Sequence, residues 1–190
     1  MQQITLAVLI LTLSACGGSG GSEIPSRADR AALLADDVLS DGISDPGRLP
    51  DSGSARYDGF MSLRLPTQAD GSRRRYTGDL TLNVDFAAPR DQITGRAGGF
   101  ATRGGDALDG GLRLRGGDLY RDTDPDENYT FTGNLDGTLR RGRADYAIDA
   151  RIEGEFRGRG QTGVNGLVFG DVNGPQGQDI FDGDFVAARD

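Results

Sequence analysis

Apolar and polar residues alternate strictly along much of the chain from residue 56 onward. The clearest stretch covers residues 76–86, in which every even-numbered position is apolar or glycine and every odd-numbered position is polar. Successive side chains of a β-strand point to opposite faces of the sheet, so this period of two predicts a strand with one buried face. Turn residues divide the region into predicted strands at 56–65, 75–86, 91–101, 107–116, 128–140, 143–158, 163–170 and 179–188.

Most links between these segments have hairpin length, which favours sequential antiparallel pairing. The fold class predicted is therefore all-β: an eight-stranded antiparallel up-and-down barrel, whose interior is filled by side chains or holds one small ligand. The longer links are predicted at residues 117–128 and 171–178. The core is predicted to contain Tyr76, Leu80, Leu82, Val84, Phe86, Phe131, Leu135, Ile148, Ile152, Phe156 and Phe185.

A short phrase recurs in these strands: an apolar or aromatic residue, one polar residue, then glycine. Residues two apart share a face of a strand, so each glycine is expected to point inward. Glycine weakens a strand unless a neighbour packs closely, and we expect aromatic rings to cover these positions. The glycines are Gly59, Gly78, Gly95, Gly110, Gly133, Gly154 and Gly183.

Residues 26–40 have a partial helical stripe of apolar side chains and predict a short helix before the strands. Ser26 is the expected N-cap, with Asp29 in the first turn. Asp41 and Gly42 are expected to end the helix, and residues 43–55 have the composition of a loop.

The N-terminus has the pattern of an export signal. Residues 4–13 form an apolar run too short to span a bilayer, and residues 13–16 read Leu-Ser-Ala-Cys. This tetrapeptide resembles the lipobox of bacterial lipoproteins, which implies cleavage before Cys16 and lipid on its thiol and new amine. The alternative is an ordinary secretory signal that leaves Cys16 as a free thiol.

The predicted domains follow from these segments. Residues 1–15 form the lipoprotein signal peptide, 16–25 the acylated Cys16 and a Gly/Ser tether, 26–55 the helix and loop leader, and 56–190 the barrel. Gly17 follows the cysteine where sorting to the inner membrane uses Asp, so by resemblance to enterobacterial lipoproteins we expect the outer membrane. Whether the domain faces the periplasm or the cell surface stays open.

A transmembrane barrel is the rival interpretation, because it also alternates, with its apolar face toward lipid. Charged residues would then fill a narrow lumen. The lipobox and the terminal Arg189 and Asp190, where a terminal aromatic would be expected, count against it.

Composition narrows the function classes. The net charge of −8 argues against a nucleic-acid partner. The protein is expected to be a monomer. The chain has no His and one Cys, so no intramolecular disulfide can form, and no metal or other cofactor is predicted. No Ser, Cys or His follows Ser72, so Ser62 is the only such side chain in the predicted barrel before that point. Asp, Glu, Tyr, Thr and Arg remain for catalysis, and a carboxylate pair such as Glu153 and Glu155 could do acid–base work. Both are expected on the solvent face.

Five segments of the predicted barrel have a distinctive sequence: LPDSGSARYDG at 49–59, YTGDLTLNVDF at 76–86, ITG at 93–95, GLVFG at 166–170 and DIFDGDFVAAR at 179–189. Together they resemble the barrel of transferrin-binding-protein-like surface lipoproteins of bacteria. The resemblance covers about residues 49–189 and implies a lipid-anchored barrel. Large members of that family also have a handle domain that grips an iron-binding host protein. This chain is too short for a second such lobe, so transferrin binding is not implied.

The candidate binding residues lie in the predicted long link at 117–128 and, for Tyr129, just after it. Acidic residues alternate there between two tyrosines, which suits an electropositive partner with an apolar spot. An EF-hand does not fit, because Glu127 and Gly133 occupy its sixth and twelfth positions. The candidate partner-binding residues are Tyr120, Asp122, Asp124, Asp126, Glu127 and Tyr129.

The function predicted is thus a non-enzymatic, outer-membrane-anchored lipoprotein that acts as a surface binding module, held in the membrane by lipid on Cys16 and contacting a protein partner. Two alternatives remain: a structural or chaperone-like periplasmic lipoprotein, and a carboxylate-dependent hydrolase.

Overall fold

A computed structural model describes residues 25–190, which form a closed barrel of antiparallel strands in sequence order. The predictions for the signal peptide, Cys16 and most of the tether lie outside the described residues. The elements are α1 (Arg27–Ser40), β1 (Ser54–Leu65), β2 (Arg74–Asp85), β3 (Ile93–Ala101), β4 (Asp109–Leu119), β5 (Phe131–Arg141), β6 (Ala144–Arg157), β7 (Gly163–Gly174) and β8 (Gly177–Arg189). A short 3₁₀ turn covers Pro46–Arg48.

The barrel closes by pairing of its first and last strands, with Tyr57 opposite Arg189 and Arg64 opposite Asp182. Every other neighbouring pair is consecutive in sequence and antiparallel. The predicted eight-stranded up-and-down barrel is therefore confirmed, and most strand bounds differ by only one to three residues.

Side chains fill the barrel interior. All of the predicted core residues are buried. Phe156 lies at the centre of an aromatic cluster, with its ring centroid 6.0 Å from that of Tyr57, 6.1 Å from Phe86 and 5.2 Å from Phe131. Phe185 adds a further ring 6.1 Å from Phe131. Tilted contacts between aromatic rings contribute stabilising free energy beyond that of the apolar area the rings bury.

Close packing explains the glycines of the recurring phrase. A Cβ on Gly154 would lie 2.4 Å from the Phe131 ring, and one on Gly78 would lie 2.7 Å from the Phe100 ring. At the other inward positions the neighbour is an aliphatic side chain or backbone, such as Leu114 at Gly133. Gly110 differs: it is exposed at the start of β4, where its φ of +93° favours glycine.

The predicted long link at 171–178 is wrong. β7 continues to Gly174 and β8 starts at Gly177, which leaves a two-residue turn at 175–176. Val172 points inward, is buried and pairs with residues of β6 and β8 on either side. Burial of Val172 and the backbone hydrogen bonds of β7 with β6 and β8 stabilise the extended strand. This stabilisation outweighs the preference for a turn of the asparagine, glycine and proline that follow Val172.

Charged side chains lie on the outer wall and apolar ones inside. This is the reverse of a membrane-spanning barrel, whose outward face is apolar. The outward charges considered in the transmembrane alternative include Asp79, Asp85, Arg113, Arg115 and Asp149, all of which are exposed.

The helix α1 packs against the outside of the barrel, chiefly on β8, β1, β2 and β7. Its predicted cap is confirmed, since Ser26 and Asp29 form a capping box. Val38 packs on Gly163, and Arg30 lies over the Phe60 ring with its guanidinium carbon 5.2 Å from the centroid. The helix therefore covers a part of the wall that would otherwise face solvent.

In the part of the chain that the structure describes, no helix is long and apolar enough to cross a membrane.

Candidate functional site

The longest link of the barrel joins β4 to β5 and covers residues 120–130, a shift from the predicted 117–128. β4 extends to Leu119 because its pairing with β5 resumes at Asp118 after an irregularity. Gly116 has a φ of +60° there, and Gly117 is packed against Ile93. Because of this β-bulge, β4 continues through residues 117–119, which the sequence had assigned to the link.

Arg121 fixes the base of the loop to the barrel rim. Its guanidinium donates to the carbonyl oxygens of Leu49 at 2.7 Å, Pro50 at 2.6 Å and Phe86 at 3.2 Å. Asp51 lies 3.6 Å away and adds an ion pair. Three carbonyl groups at the rim are thereby satisfied by one side chain, which ties the leader segment, the β2–β3 link and the loop together.

The loop itself is a compact hydrogen-bonded turn. The Asp124 carboxylate accepts from the backbone N–H of Asp126 at 3.0 Å, and the Asp124 carbonyl accepts from Glu127 and Asn128 at 3.1 and 2.9 Å. Thr130 donates its backbone N–H to the Gly154 carbonyl at 2.9 Å. The loop is therefore folded onto the barrel wall, and the Asp124 carboxylate is used inside the turn.

An open cleft of about 690 Å³, here called the loop cleft, lies between this loop and the outer face of β5 and β6. Four of the six predicted site residues line it: Tyr120, Asp122, Glu127 and Tyr129. Asp124 and Asp126 are exposed on the turn but do not line the cleft. The other lining residues are Leu119, Arg121, Thr123, Asn128, Thr132, Arg151 and Glu153.

The two tyrosines stand in different environments within the loop cleft. Tyr120 is exposed, and its hydroxyl lies 3.0 Å from that of Thr132. Burial and the nearby carboxylates of Glu153 and Glu155 raise the pKa of Tyr129 above its usual value. The Tyr129 phenol is therefore held in its neutral form, with a hydrogen to donate and a ring edge to pack against.

Arg151 and Glu153 form the floor of the loop cleft. The sequence offered Glu153 only as half of a carboxylate pair, and it did not connect either residue with the loop. They lie 3.4 Å apart on the outward face of β6. Their positions opposite Asn134 and Thr132 of β5 bring them beneath the loop. Strand pairing was the signal that could have located them, since the register between β5 and β6 follows from the short turn that joins these strands.

Glu153 and Glu155 lie on the outward face, as predicted, but neither side chain is freely exposed to solvent. The Glu155 and Arg157 side chains are only 15% and 17% exposed and lie 2.9 Å apart, and Glu153 is paired with Arg151. The loop and α1 cover this part of the wall, which a strand pattern does not reveal.

Within residues 25–190, no three His, Cys, Asp or Glu side chains are grouped so as to hold a metal ion.

Comparison with known proteins shows neither a family nor a function for this chain. No family model and no curated protein matches the chain. Among solved structures, the chain is similar to a point mutant of the vaccine antigen transferrin binding protein B from Haemophilus parasuis Hp5, with 14% identity and a TM-score of 0.45. The match covers 77% of this chain and 28% of that chain. A likeness of this degree does not extend to an activity or a partner.

Proposed function

We propose that this protein is a non-enzymatic, lipid-anchored binding module of the outer membrane, which holds a protein partner in the loop cleft. The observation that carries the proposal is the cleft itself. Two tyrosines and two acidic side chains, Asp122 and Glu127, converge on one concave surface of about 690 Å³. Tyrosine is enriched at surfaces where proteins bind one another, because its ring packs against apolar groups while its hydroxyl makes hydrogen bonds.

The rest of the barrel supports this assignment. The interior is filled by the aromatic cluster around Phe156, so recognition is expected on the outer surface and not along the barrel axis. A rigid barrel that presents an ordered loop is a common arrangement for recognition. Arg121 holds the base of the loop in place, which lowers the entropy cost of binding.

The anchor is the second part of the proposal and rests on the Leu-Ser-Ala-Cys motif at residues 13–16. Lipid on Cys16 would hold the barrel at the membrane, with residues 17–24 as the spacer before the first described residue, Pro25. More than one acyl chain is needed for firm anchoring. Mass spectrometry of the mature N-terminus tests this part: an unmodified Cys16, or cleavage at another bond, would contradict it.

A pull-down from the envelope of the producing organism tests the site. Residues 122–128 are replaced by a short Gly-Ser turn, while Arg121 and Tyr129 are kept so that the rim and the strand start remain intact. The matched control replaces residues 69–72, an exposed turn in the β1–β2 link at the opposite rim. We expect both variants to keep the far-ultraviolet circular dichroism of the wild type and only the first to lose the partner.

Unchanged partner binding by the 122–128 variant would show that the loop is not the site. If no partner is recovered and deletion of the gene weakens the envelope, the structural-lipoprotein alternative is the better account.

A further inference from the structure

A second cleft on the barrel wall shares Tyr129 with the loop cleft. It has a volume of about 540 Å³ and lies between α1 and the outer face of the strands, so we call it the helix cleft. Tyr129 lines both clefts, and its pKa responds to Glu153 in one and to Glu155 in the other. The two clefts are neighbours on either side of Tyr129, and together they are here called the outer trough.

We propose that the partner enters the outer trough as an extended polypeptide segment, with basic residues at the loop end and an aliphatic side chain at the helix end. The inference rests on the proposed function and specifies the chemistry of its partner.

The floor of the trough is a row of outward-facing residues that are directly opposite one another on successive strands. Thr132 of β5 pairs with Glu153 of β6, Glu153 with Leu167 of β7, and Leu167 with Asp184 of β8. Neighbouring strands lie about 4.8 Å apart, so this row is about 14 Å long. That length matches about four residues of extended chain.

The two ends of the trough differ in polarity. At the loop end, Asp122 and Glu127 make no ion pair with any residue that the structure describes, while Arg121 is held by the rim carbonyls. In the floor, Glu153 and Glu155 are each neutralised by an arginine. The loop end is therefore left with a net negative charge, which complements lysine or arginine.

At the helix end the lining is mainly apolar, and its charged side chains are paired. Arg75 pairs with Asp184, Arg157 with Glu155, and Arg103 with Asp29. Leu167 is 47% exposed and Leu39 is 49% exposed, and both line the helix cleft beside Ala32 and Ala35 of α1. Small alanine side chains on the helix leave room for an aliphatic group between α1 and β7. Covering the two leucines removes apolar surface from water and provides the favourable free energy at this end.

The shape of the trough favours a single extended segment over a membrane surface. The loop stands at one end of it and α1 at the other, so a flat bilayer cannot reach the floor. The anionic loop end also repels anionic headgroups. A chain of alternating side chains can instead lie on the row and place its ends in the two clefts.

Selection from a random hexapeptide library displayed on phage, with the full chain immobilised, tests the inference. Peptides that are enriched on the wild type are then synthesised with a fluorophore and titrated by fluorescence anisotropy. The variants are Leu167→Ser at the helix end and the double change Asp122→Asn with Glu127→Gln at the loop end. Phe169→Ser is the matched control, because Phe169 is exposed on the same face of β7 but lies outside the trough.

We expect the enriched peptides to have lysine or arginine at one end and leucine, isoleucine or valine at the other. Leu167→Ser should weaken their binding about tenfold, the effect of losing burial of about half a leucine side chain. The loop-end double variant should weaken it by a similar factor at low salt and by less at high salt. Phe169→Ser should leave the affinity within about twofold of the wild type.

The inference is overturned if no sequence is enriched on the wild type relative to the Leu167→Ser protein, or if Phe169→Ser weakens binding as much as Leu167→Ser. It is also overturned if vesicles of phosphatidylglycerol bind the wild type and lose that binding on Leu167→Ser, since the trough would then accept lipid. The two experiments can also disagree, when the 122–128 variant loses its partner while the library yields no enriched peptide. That outcome leaves the proposed function in place and removes only the extended-segment inference.

Discussion

The contact between Phe131 and Gly154 allows a quantitative test of the packing inside the barrel. Phe131 is 1% exposed, and its ring packs on those of Phe156 and Phe185 at centroid distances of 5.2 and 6.1 Å. Truncation of a buried phenylalanine to alanine costs about 3–5 kcal/mol of unfolding free energy. We expect Phe131→Ala to fall in this range, because the rigid closed barrel limits how far its neighbours can collapse.

Gly154→Ala should destabilise the barrel for the opposite reason. The added Cβ would lie 2.4 Å from the Phe131 Cζ atom, 2.7 Å from the Phe185 Cζ atom and 2.9 Å from the Asn165 carbonyl oxygen. These distances are too short for van der Waals contact, and overpacking of a core costs about 1–3 kcal/mol. Because a backbone oxygen is among the neighbours, we expect the upper end of that range.

The double variant is the informative one. Phe131→Ala removes the shortest of the three contacts, so Gly154→Ala should cost less in that background than in the wild type. We expect a coupling free energy of about 1–2 kcal/mol, and the four proteins can be compared by urea denaturation followed by far-ultraviolet circular dichroism. Additivity within about 0.5 kcal/mol would refute the packing described here, as would a cost below about 1 kcal/mol for Phe131→Ala.

Three further predictions concern single side chains. Burial raises the pKa of Tyr57 to about 12. An unfolded tyrosine ionises near pH 10, so the contribution of Tyr57 to stability should be constant below that pH and fall by about 2–3 kcal/mol as pH rises from 10 to 12. Tyr57→Phe should remove this decline in denaturation curves measured across that range. Arg121→Lys should lower the unfolding free energy by about 1–3 kcal/mol. The planar guanidinium of Arg121 donates to three carbonyl groups, and an ammonium group cannot reproduce this arrangement. A melting temperature equal to that of the wild type would contradict this prediction. Ser26→Ala should weaken the capping box of α1 by about 1 kcal/mol, seen as faster amide exchange in α1 while the barrel amides stay protected. Equal acceleration in both would mean that α1 and the barrel unfold as one unit.

Much of the fold could be predicted from local pattern alone. Alternation along residues 76–86 assigns Leu80 and Leu82 to the buried face, and a closed barrel is the arrangement that buries such a face along every strand. Ser26 and Asp29 predicted the start of the helix because a capping box is formed by residues only three positions apart. These features depend on neighbours in sequence, and the chain specifies them directly.

The candidate site was predicted in part. The acidic link between two tyrosines is visible in sequence, and Tyr120, Asp122, Glu127 and Tyr129 do converge on one cleft. The conformation of the turn decides which carboxylates face the cleft. Asp124 makes hydrogen bonds within the turn, and neither Asp124 nor Asp126 lines the cleft.

Only the tertiary structure decided what surrounds that loop. The three carbonyl acceptors of Arg121 come from segments up to 72 residues away, and the pairing of β5 with β6 places Glu153 beneath the loop. Docking of α1 on the outer wall completes the trough at Leu167. Register and docking are settled by burial and hydrogen bonding summed over the whole barrel, so no local stretch of sequence contains them. The sequence by itself therefore determined the strands, their buried faces and the helix cap, while the shape of the binding surface arose from contacts between distant segments.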